Sequence, residues 1–491
     1  VITANQDKGV PLNEMALVST RSISPEETSR YAGGLGFNDP SQIISSFAGV
    51  SNNPNGNNDI IVRGNSPKYV QWRLEGVQIT NPNHFADQGA IGGGLSALNN
   101  NVLATSDFYT GAFSPEFGDV LSGVYDVKLR AGNNEKFEAV LGAGILGTDL
   151  TLEGPFKKGY GGSFLFNYRY STIGLITDLG LTEVKGNPNF QDAAFKLMLP
   201  AKKAGTFSLF GLGGKSSAFL EEVKPDVAET PGDRSMLDGI REDMDKGSHM
   251  LNVGLNHSLT FGANSYVQTT IAHSREGIKD QVYESLIEKQ YNGTGEFVRD
   301  TTLYNRLNYK SRLYKQVHRG AITFNHKLDA RNKFEIGTQY SLFDYDYNQS
   351  QLQNNGEVRA NTIDFQEMVG TLRNHISWKH RFNDEVTVVA GLQNMNLLFN
   401  NKWTIEPRLS LNWKIDATSS LQGGYGKHST MESPHNYFAK VVDQNGVINE
   451  PNRNLDLLKA DHFVLGYEKR MSDFLIAKVE GYYQHLYDLP V

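Results

Sequence analysis

The feature that most constrains this chain is a two-residue alternation of apolar and polar side chains, which begins near Phe137 and continues to the end. Between Thr404 and Lys414, for example, apolar residues at odd positions alternate with polar residues at even positions. Successive side chains of a β-strand point to opposite faces, so this period predicts strands with one apolar and one polar face. We predict fifteen strands, beginning near residues 138, 149, 162, 190, 205, 247, 264, 310, 333, 363, 385, 403, 418, 458 and 474.

The connections between these predicted strands alternate in length. Tight turns such as 157–161 and 329–332 follow the even-numbered strands, whereas long links such as 215–246 and 277–309 follow most odd-numbered ones. Short connections on one rim and long ones on the other are the layout of an outer-membrane β-barrel.

A soluble antiparallel sandwich or a repeat sheet is the alternative to a barrel. Several predicted strands exceed ten residues, and aromatic residues cluster near strand ends, where a membrane barrel carries its interfacial girdles. Both observations favour the barrel. The girdle candidates are Tyr345, Tyr347, Trp378, Trp403, Trp413, Tyr482, Tyr483 and Tyr487.

Composition narrows the function classes. The 491 residues carry a net charge of −7, which gives no basic footprint for nucleic acid. The absence of cysteine excludes disulfide frameworks, thiolate zinc sites and cysteine nucleophiles. A mean hydropathy of −0.43 is compatible with a transmembrane barrel, because barrel strands are apolar on one face only.

The first 130 residues follow a different pattern. A helix is predicted over Pro25–Tyr31, and short strands are predicted over Asp59–Arg63 and Val124–Leu129. Polar, glycine-rich stretches at 51–58 and 81–94 separate these elements and read as exposed loops. The pattern predicts a compact α+β unit.

Several motifs carry a family likeness. Ile61–Gly64, followed by Arg73–Ile79, resembles the "IRG…lDGvpi" segment of the plug in TonB-dependent outer-membrane receptors, with Glu75 in place of the usual Asp. Gly111–Asp119 and Ser122–Val124 are similar to the family's later "G…YG…GG" segment, with Phe117 in place of Tyr. Further similar segments, now in the alternating region, are Leu152–Pro155, Pro407–Leu411 and Val479–Gln484.

The resemblance implies an α+β plug domain, residues 1–130, inside an antiparallel transmembrane β-barrel formed by residues 131–491. Family barrels have 22 strands. Because fifteen is an odd number and bacterial barrels have even ones, we expect further strands beyond residue 491. We also expect the segment that contacts TonB to precede the plug, since Val1–Ala4 resembles at most the stretch leading into it.

The implied function is ligand-gated, energy-dependent uptake of a scarce nutrient across the outer membrane of a Gram-negative bacterium. The implied partners are the TonB energy-coupling complex, outer-membrane lipid, and a small-molecule, glycan or peptide ligand such as a siderophore, cobalamin, an oligosaccharide or a peptide. The glycan-importing branch of the family carries a "YGsrgAnGV" stretch that Phe117–Val124 does not match, so the resemblance gives no support for a surface lipoprotein lid.

Two other function classes compete with this one. A passive porin or secretion channel has no need of the separate domain in residues 1–130. An outer-membrane barrel enzyme needs a catalytic constellation, and no G-x-S-x-G, H-E-x-x-H or Walker motif occurs. Asp344 to Asn355 lacks the Gly and Glu of a calcium loop, and the scattered histidines indicate no metal site. We therefore predict no catalytic residues, metal or cofactor.

Two groups of candidate site residues follow. The loop 80–87, together with 53–58, is predicted to form the outward tips of the plug, where polar and aromatic side chains meet the ligand. Its candidate ligand residues are Asn81, Asn83, His84, Phe85 and Asp87. A plug–barrel latch is predicted from plug arginines and lumen-facing glutamates, by alternation and by the family's use of Arg and Glu contacts. The latch candidates are Arg63, Arg130, Glu406 and Glu480.

Overall fold

A computed structural model describes residues 11–30, 39–52, 59–87, 93–144, 147–174, 188–223, 237–353, 356–472 and 475–490. Its first region contains two short helices, α1 (Pro25–Thr28) and α2 (Pro40–Ser45). It also contains nine strands, β1 (Thr20–Ile23), β2 (Val50–Asn52), β3 (Ile60–Val62), β4 (Val70–Leu74), β5 (Val77–Gln78), β6 (Asn83–His84), β7 (Leu95–Ser96), β8 (Ser106–Tyr109) and β9 (Gly123–Val127).

Local sequence explains where the first helices begin. Ser24 and Glu27 form a capping box at α1, in which the Glu27 amide donates to Ser24 Oγ over 3.2 Å and the Ser24 amide donates to Glu27 Oε2 over 3.1 Å. Proline occupies the first position of both helices, where it has no intrahelical bond to lose. The helix predicted over Pro25–Tyr31 is shorter than expected and spans four described residues.

Five of the nine strands form one mixed sheet in the order β1-β8-β9-β4-β5, with β4 and β9 parallel. Its apolar face packs with α2 into a core that includes Ile43, Trp72, Leu74 and Tyr125. These residues give the first region a core of its own.

The second region is a single antiparallel sheet of fifteen strands. Its members, in spatial and chain order, are β10 (Glu138–Ala143), β11 (Gly147–Pro155), β12 (Ser163–Ser171), β13 (Asn189–Pro200), β14 (Thr206–Val223), β15 (Leu237–Phe261), β16 (Ser265–Tyr291), β17 (Phe297–Lys327), β18 (Asn332–Gln353), β19 (Val358–Arg381), β20 (Val386–Leu397), β21 (Lys402–Lys414), β22 (Ser419–Thr430), β25 (Leu458–Ser472) and β26 (Leu475–Tyr487). In the described residues β10 and β26 are the two edges, so the wall is open between them.

The predicted fold class is confirmed, and so is the number of strands. The long link predicted over 277–309 is wrong: β16 continues to Tyr291 and β17 begins at Phe297, so only 292–296 connect them. The other large differences are at the starts of β15, β17 and β19, predicted near 247, 310 and 363 but found at 237, 297 and 358. These early portions are rich in polar residues on both faces and therefore lack the alternation that marks a half-buried strand.

The wall has one face toward the lumen and one toward the outside, as alternation requires. In β12, Asn167 and Arg169 are buried, and Arg169 donates to the Ser96 backbone oxygen of the first region, whereas Tyr168 and Tyr170 point outward and are exposed. Four of the eight girdle candidates, Trp378, Trp403, Trp413 and Tyr483, are likewise exposed on the outer face, whereas Tyr482 lies on the inner face against Arg63. Tyr345 and Tyr347 are an exception: both are buried in a lumen cluster, because they fall on the inward phase of β18.

The long loop between β22 and β25 has structure of its own. It contains a third short helix, α3 (Pro434–Tyr437), and a small hairpin of β23 (Val441–Val442) and β24 (Ile448–Asn449). No helix within the described ranges is long and apolar enough to cross a membrane.

Candidate functional site

A cavity of about 180 Å³ lies between the first region and the upper part of the wall, toward the rim with the long loops. Its floor is formed by residues 68–72, 78–81 and Asp119 of the first region. Its side is formed by β16, β17 and β18, and residues 430–434, which follow β22, complete it. Enclosure by three independent parts of the chain makes this the leading candidate for a ligand site.

The side wall of the cavity carries a row of polar groups at matching positions. Glu276 of β16 lies opposite Lys315 of β17, which lies opposite Tyr345 of β18. On the floor, Asp119 Oδ1 accepts hydrogen bonds from Thr430 Oγ1 over 2.8 Å and from the Met431 amide over 3.3 Å. The cavity thus offers fixed donors, acceptors and aromatic surface, which suits recognition of a polar ligand.

The loop after β22 forms a roof of aromatic residues that folds inward. Phe438 packs against Phe399 and Phe365, with ring centroids 5.3 and 5.5 Å apart, and Tyr437 packs against Phe399 at 5.1 Å. His435 meets the ring of Tyr347 edge-on at 5.1 Å. The roof is therefore held by apolar contacts with the inner faces of β18 to β20.

The five predicted ligand residues are brought together, but they do different things. Asn81 lines the cavity, and its Oδ1 accepts hydrogen bonds from the Asn83 amide and side chain, at 3.0 and 2.8 Å. Phe85 has a positive φ of 56° and its amide donates to Ser216 Oγ of β14 over 2.9 Å. Asp87 pairs with Lys246 of β15. The other outward tip, 53–58, lies outside the described residues.

His84 is fully buried against the wall. Its Nε2 lies 2.9 Å from Asp192 Oδ2 of β13, which also accepts hydrogen bonds from Arg169 Nε and Nη2 of β12 at 2.9 and 2.6 Å. Arg169 Nη2 donates in addition to the backbone oxygen of Ser96, over 2.6 Å. Burial lowers the pKa of His84, against the opposing effect of Asp192, so the neutral ring donates from Nε2. We call these three side chains, Arg169, Asp192 and His84, the upper anchor.

Arg63 and Glu480 form a buried ion pair between the first region and β26. Arg63 Nη2 also donates to Ser19 Oγ and Thr110 Oγ1, at 3.0 and 3.2 Å, and the guanidinium lies 4.3 Å from the ring centroid of Tyr482. The φ of Arg63 is +53° and Gly64 follows at +78°, so the backbone turns here and directs the side chain to the wall. Burial lowers the pKa of Arg63 and the Glu480 carboxylate opposes that effect.

The remaining two latch candidates are not partners of each other. Arg130 binds Glu153 of β11 with two parallel hydrogen bonds of 2.6 and 2.7 Å; we call this pair the lower anchor. Glu406 instead accepts from Arg408 of its own strand, over 2.7 Å. Arg408 in turn donates to the backbone oxygens of Ser114 and Phe117, at 2.8 and 2.5 Å. Glu406 therefore orients Arg408, whose side chain donates hydrogen bonds to backbone oxygens of the first region.

Sequence reasoning missed further contacts between the first region and the wall, two of which involve cations of the wall. Lys196 of β13 donates to Glu75 Oε2 over 2.8 Å and to the backbone oxygen of Leu129 over 2.7 Å. Arg373 of β19 donates to the backbone oxygen of Gly118. The unusual Glu75 was a signal for the first contact, because the longer side chain reaches a lysine on the wall. Among the described residues, no cluster of three or more His, Asp or Glu is placed to hold a metal ion.

Comparison with known proteins gives a family and a fold. The family model described as "TonB dependent receptor-like, beta-barrel" matches residues 204–491. No curated protein matches the sequence.

Three solved structures illustrate the fold. A mutant of the ferric enterobactin receptor PfeA from Pseudomonas aeruginosa is similar with a TM-score of 0.63 at 12% identity, covering 96% of this chain and 71% of that one. The siderophore receptor PirA from Acinetobacter baumannii gives 0.62 at 14% identity, with 96% and 71% covered. The outer membrane transporter YddB from Escherichia coli gives 0.62 at 13%, with 98% and 70% covered. At these identities the likeness concerns the fold.

Proposed function

Because the chain belongs to the TonB-dependent receptor-like β-barrel family, we propose that it is a ligand-gated active transporter of the Gram-negative outer membrane that takes up a scarce nutrient. The family is one of receptors and transporters rather than of enzymes. The first region acts as a plug, and residues 1–130 and 131–491 are the plug and barrel domains in this proposal. Transport changes the position of the ligand and leaves its chemistry unaltered.

The observation that carries the proposal is a polar cavity between an anchored plug and the aromatic roof. The upper anchor holds the plug to β12 and β13, the Arg63–Glu480 pair holds it to β26, and the aromatic roof packs on the wall above it. A ligand bound between floor and roof touches both, so binding is able to change the contacts that keep the plug closed. An open channel has no use for a ligand cavity above a plug that is anchored to the wall.

Energy coupling is proposed to act on the segment that enters the plug at the opposite rim. The amides of Leu12 and Asn13 donate to the two carboxylate oxygens of Asp107, at 3.1 and 3.0 Å, and Glu14 lies beside Lys333 near a short turn. Short turns mark the periplasmic rim of outer-membrane barrels. A periplasmic TonB complex pulling on residues before Leu12 would load Asp107, which lies in the plug sheet on β8.

We assign ligand contact to Asn81 and to the polar row of β16 to β18. In this assignment His84, Phe85 and Asp87 hold the loop 80–87 against the wall, and Arg63, Arg130, Glu406 and Glu480 serve as the latch. Replacing Asn81 by Ala is expected to weaken ligand binding and to lower plug stability modestly, because the Asn83 amide and side chain lose their acceptor. Replacing His84 by Ala is expected to lower plug stability more than it weakens ligand binding.

A ferric siderophore is the first ligand to test, because two of the similar structures are siderophore receptors. Cobalamin, oligosaccharides and peptides are the alternatives. The test is equilibrium binding of ferric enterobactin, cyanocobalamin, maltohexaose and a tetrapeptide to the purified protein. Tyr345→Ala, in the cavity, is expected to abolish binding of the true ligand class, whereas Tyr340→Ala, outward on the same strand, is expected to leave it unchanged.

Conductance separates transport from the porin alternative. In a planar bilayer a plugged transporter is expected to pass almost no current, and the double variant Arg63→Ala, Glu480→Ala is expected to open at a lower urea concentration. A wild-type protein that conducts freely, or one that binds none of the four probes, would contradict the proposal.

A further inference from the structure

A second cavity, of about 550 Å³, lies below the plug at the periplasmic rim. It is bounded by the short turns that join β15 to β16 and β17 to β18, by the end of β19 and by Glu14 of the plug. The strands involved are in the middle of the described wall, far along the sheet from its open edges at β10 and β26. The cavity therefore does not depend on the open side of the wall.

The lining of this cavity is strongly basic. Its lining cations are Lys327, Arg331, Lys333, Lys379 and Arg381. The acidic side chains that line it are Asp329 and Glu14. Asp329 is engaged within its own turn, where it accepts hydrogen bonds from the amides of Arg331 and Asn332, both over 2.7 Å. One plug carboxylate thus faces five cations.

Three of the lysines are in register across three strands. Lys327 of β17 lies directly opposite Lys333 of β18, which lies directly opposite Lys379 of β19. Like charges at directly opposed positions destabilise a sheet, since their Cβ atoms are only about 5 Å apart. A row of this kind persists at a cost in stability, which a bound anion would relieve.

The row faces the lumen and not the lipid. Lys333 and Lys379 share the inward phase of Glu335 and Ser377, which are buried. The alternate residues Phe334 and Trp378 stack on each other on the outer face, with centroids 6.3 Å apart. A solute in the lumen reaches the lysine row, whereas a lipid headgroup outside the wall meets the aromatic pair.

The chain itself supplies a carboxylate at this position. Glu14 Oε2 lies 3.5 Å from Lys333 Nζ and 3.8 Å from Lys379 Nζ, and the Glu14 side chain remains largely exposed. Such long, solvent-exposed pairs are weak. The Glu14 carboxylate therefore lies where an anion would bind, but it occupies only a small part of the cavity.

We propose that this second cavity, which we call the vestibule, is an anion-binding site for a carboxylate- or phosphate-bearing solute. Glu14 acts in it as a weak internal competitor. If the proposed transport function holds, this cavity is also the exit site that receives an anionic ligand after the plug moves. Only this exit role rests on the proposed function. When a periplasmic partner pulls the segment containing Glu14, the competitor leaves and the lysine row becomes free for the solute.

The test is isothermal titration of citrate, and separately of pyrophosphate, into the purified protein in detergent at low salt. Glu14→Gln is expected to raise citrate affinity by about threefold to tenfold, since it removes the competing charge. The double variant Lys333→Gln, Lys379→Gln is expected to lower it by at least about tenfold. Lys202→Gln, Lys203→Gln is the matched control, because those two lysines lie in an exposed turn of the same rim and outside the cavity.

A gain of affinity in Glu14→Gln cannot come from misfolding, so that variant keeps the test decisive if the double variant fails to fold. Equal binding by the control and the lysine-row variant, or no change in Glu14→Gln, would overturn the inference. So would a lysine-row variant that loses attachment to phosphatidylglycerol vesicles but keeps citrate binding. Failure of ligand uptake with vestibule binding intact would overturn the transport function and leave the anion site standing.

Discussion

The upper and lower anchors both hold the plug to the wall, but they differ in how they reach it and in burial. The upper anchor is an ion pair within the wall that reaches the plug through His84 and the Ser96 backbone oxygen, whereas the lower anchor is itself an ion pair between plug and wall. In the upper anchor Arg169 and Asp192 are 2.6 Å apart with side chains 2% and 1% exposed. In the lower anchor Arg130 and Glu153 are also 2.6 Å apart, but the arginine is 33% exposed. A buried pair leaves an uncompensated charge when one partner is removed, whereas water replaces the partner of an exposed one. Distance alone therefore does not rank the two contacts.

The largest expected effect comes from Asp192→Ala in the upper anchor. The substitution removes the buried carboxylate that pairs with Arg169 and is the hydrogen-bond partner of His84, so we expect a loss of about 4 kcal/mol in plug stability. The measurement is the urea midpoint for protease cleavage of the plug. Tyr170→Ala on the outer face of β12 is the control, and equal midpoints for the two variants would contradict the role of burial.

Arg63→Ala tests a pair of intermediate burial, because the Glu480 side chain is 17% exposed. We expect a loss of about 3 kcal/mol, since Glu480 keeps Ser19 and a lysine 3.6 Å away as partners. Arg63→Lys is expected to recover only part of that loss, because an ammonium cannot match the guanidinium's several directed hydrogen bonds. Full recovery in the same cleavage assay would show that charge alone holds the pair.

Glu116, on the plug near the lower rim, gives a pH dependence. Burial raises its pKa to about 7, and the nearby Glu335 carboxylate adds to the rise. Because the folded-state pKa lies above the ordinary 4.5, the contribution to stability is present below pH 4.5 and is lost as the pH rises through about 7. Glu116→Gln is expected to remove this loss and to be about 2 kcal/mol more stable than the wild type at pH 8. Parallel pH profiles of the two proteins would contradict this.

The smallest expected effect is that of Arg130→Ala in the lower anchor. Water reaches the arginine, and the Glu153 carboxylate, although only 8% exposed, keeps the Asn133 amide as a donor, so we expect a loss of about 1 kcal/mol, which decreases further at high salt. The comparison with Asp192→Ala sharpens the contrast between the anchors. A loss as large as that of Asp192→Ala would mean that the lower rim of the plug is drier than its exposure indicates.

The architecture could be predicted from the sequence because the two-residue alternation of apolar and polar side chains is a local property of each strand. Alternation predicts the number of wall strands and the residues that face the lumen, since a one-residue slip would place every charge on the apolar face. The charged residues placed correctly in this way are Arg169, Glu406, Arg408 and Glu480. Strand starts were predicted poorly where both faces of β15 and β17 are polar, because there the period carries no signal.

The identity of the partners was decided only by tertiary structure. Sequence placed Glu406 and Glu480 on the same inner face, but Glu480 binds Arg63 while Glu406 binds Arg408. Likewise His84 contacts Asp192, 108 residues away, and Lys333 lies between two lysines on neighbouring strands. The side of the wall that a residue faces depends on the pleat of its own strand, and the residues of that strand alone determine it. Pairing depends on the register between strands and on the seating of the plug, which are set by the packing of residues distant in the chain.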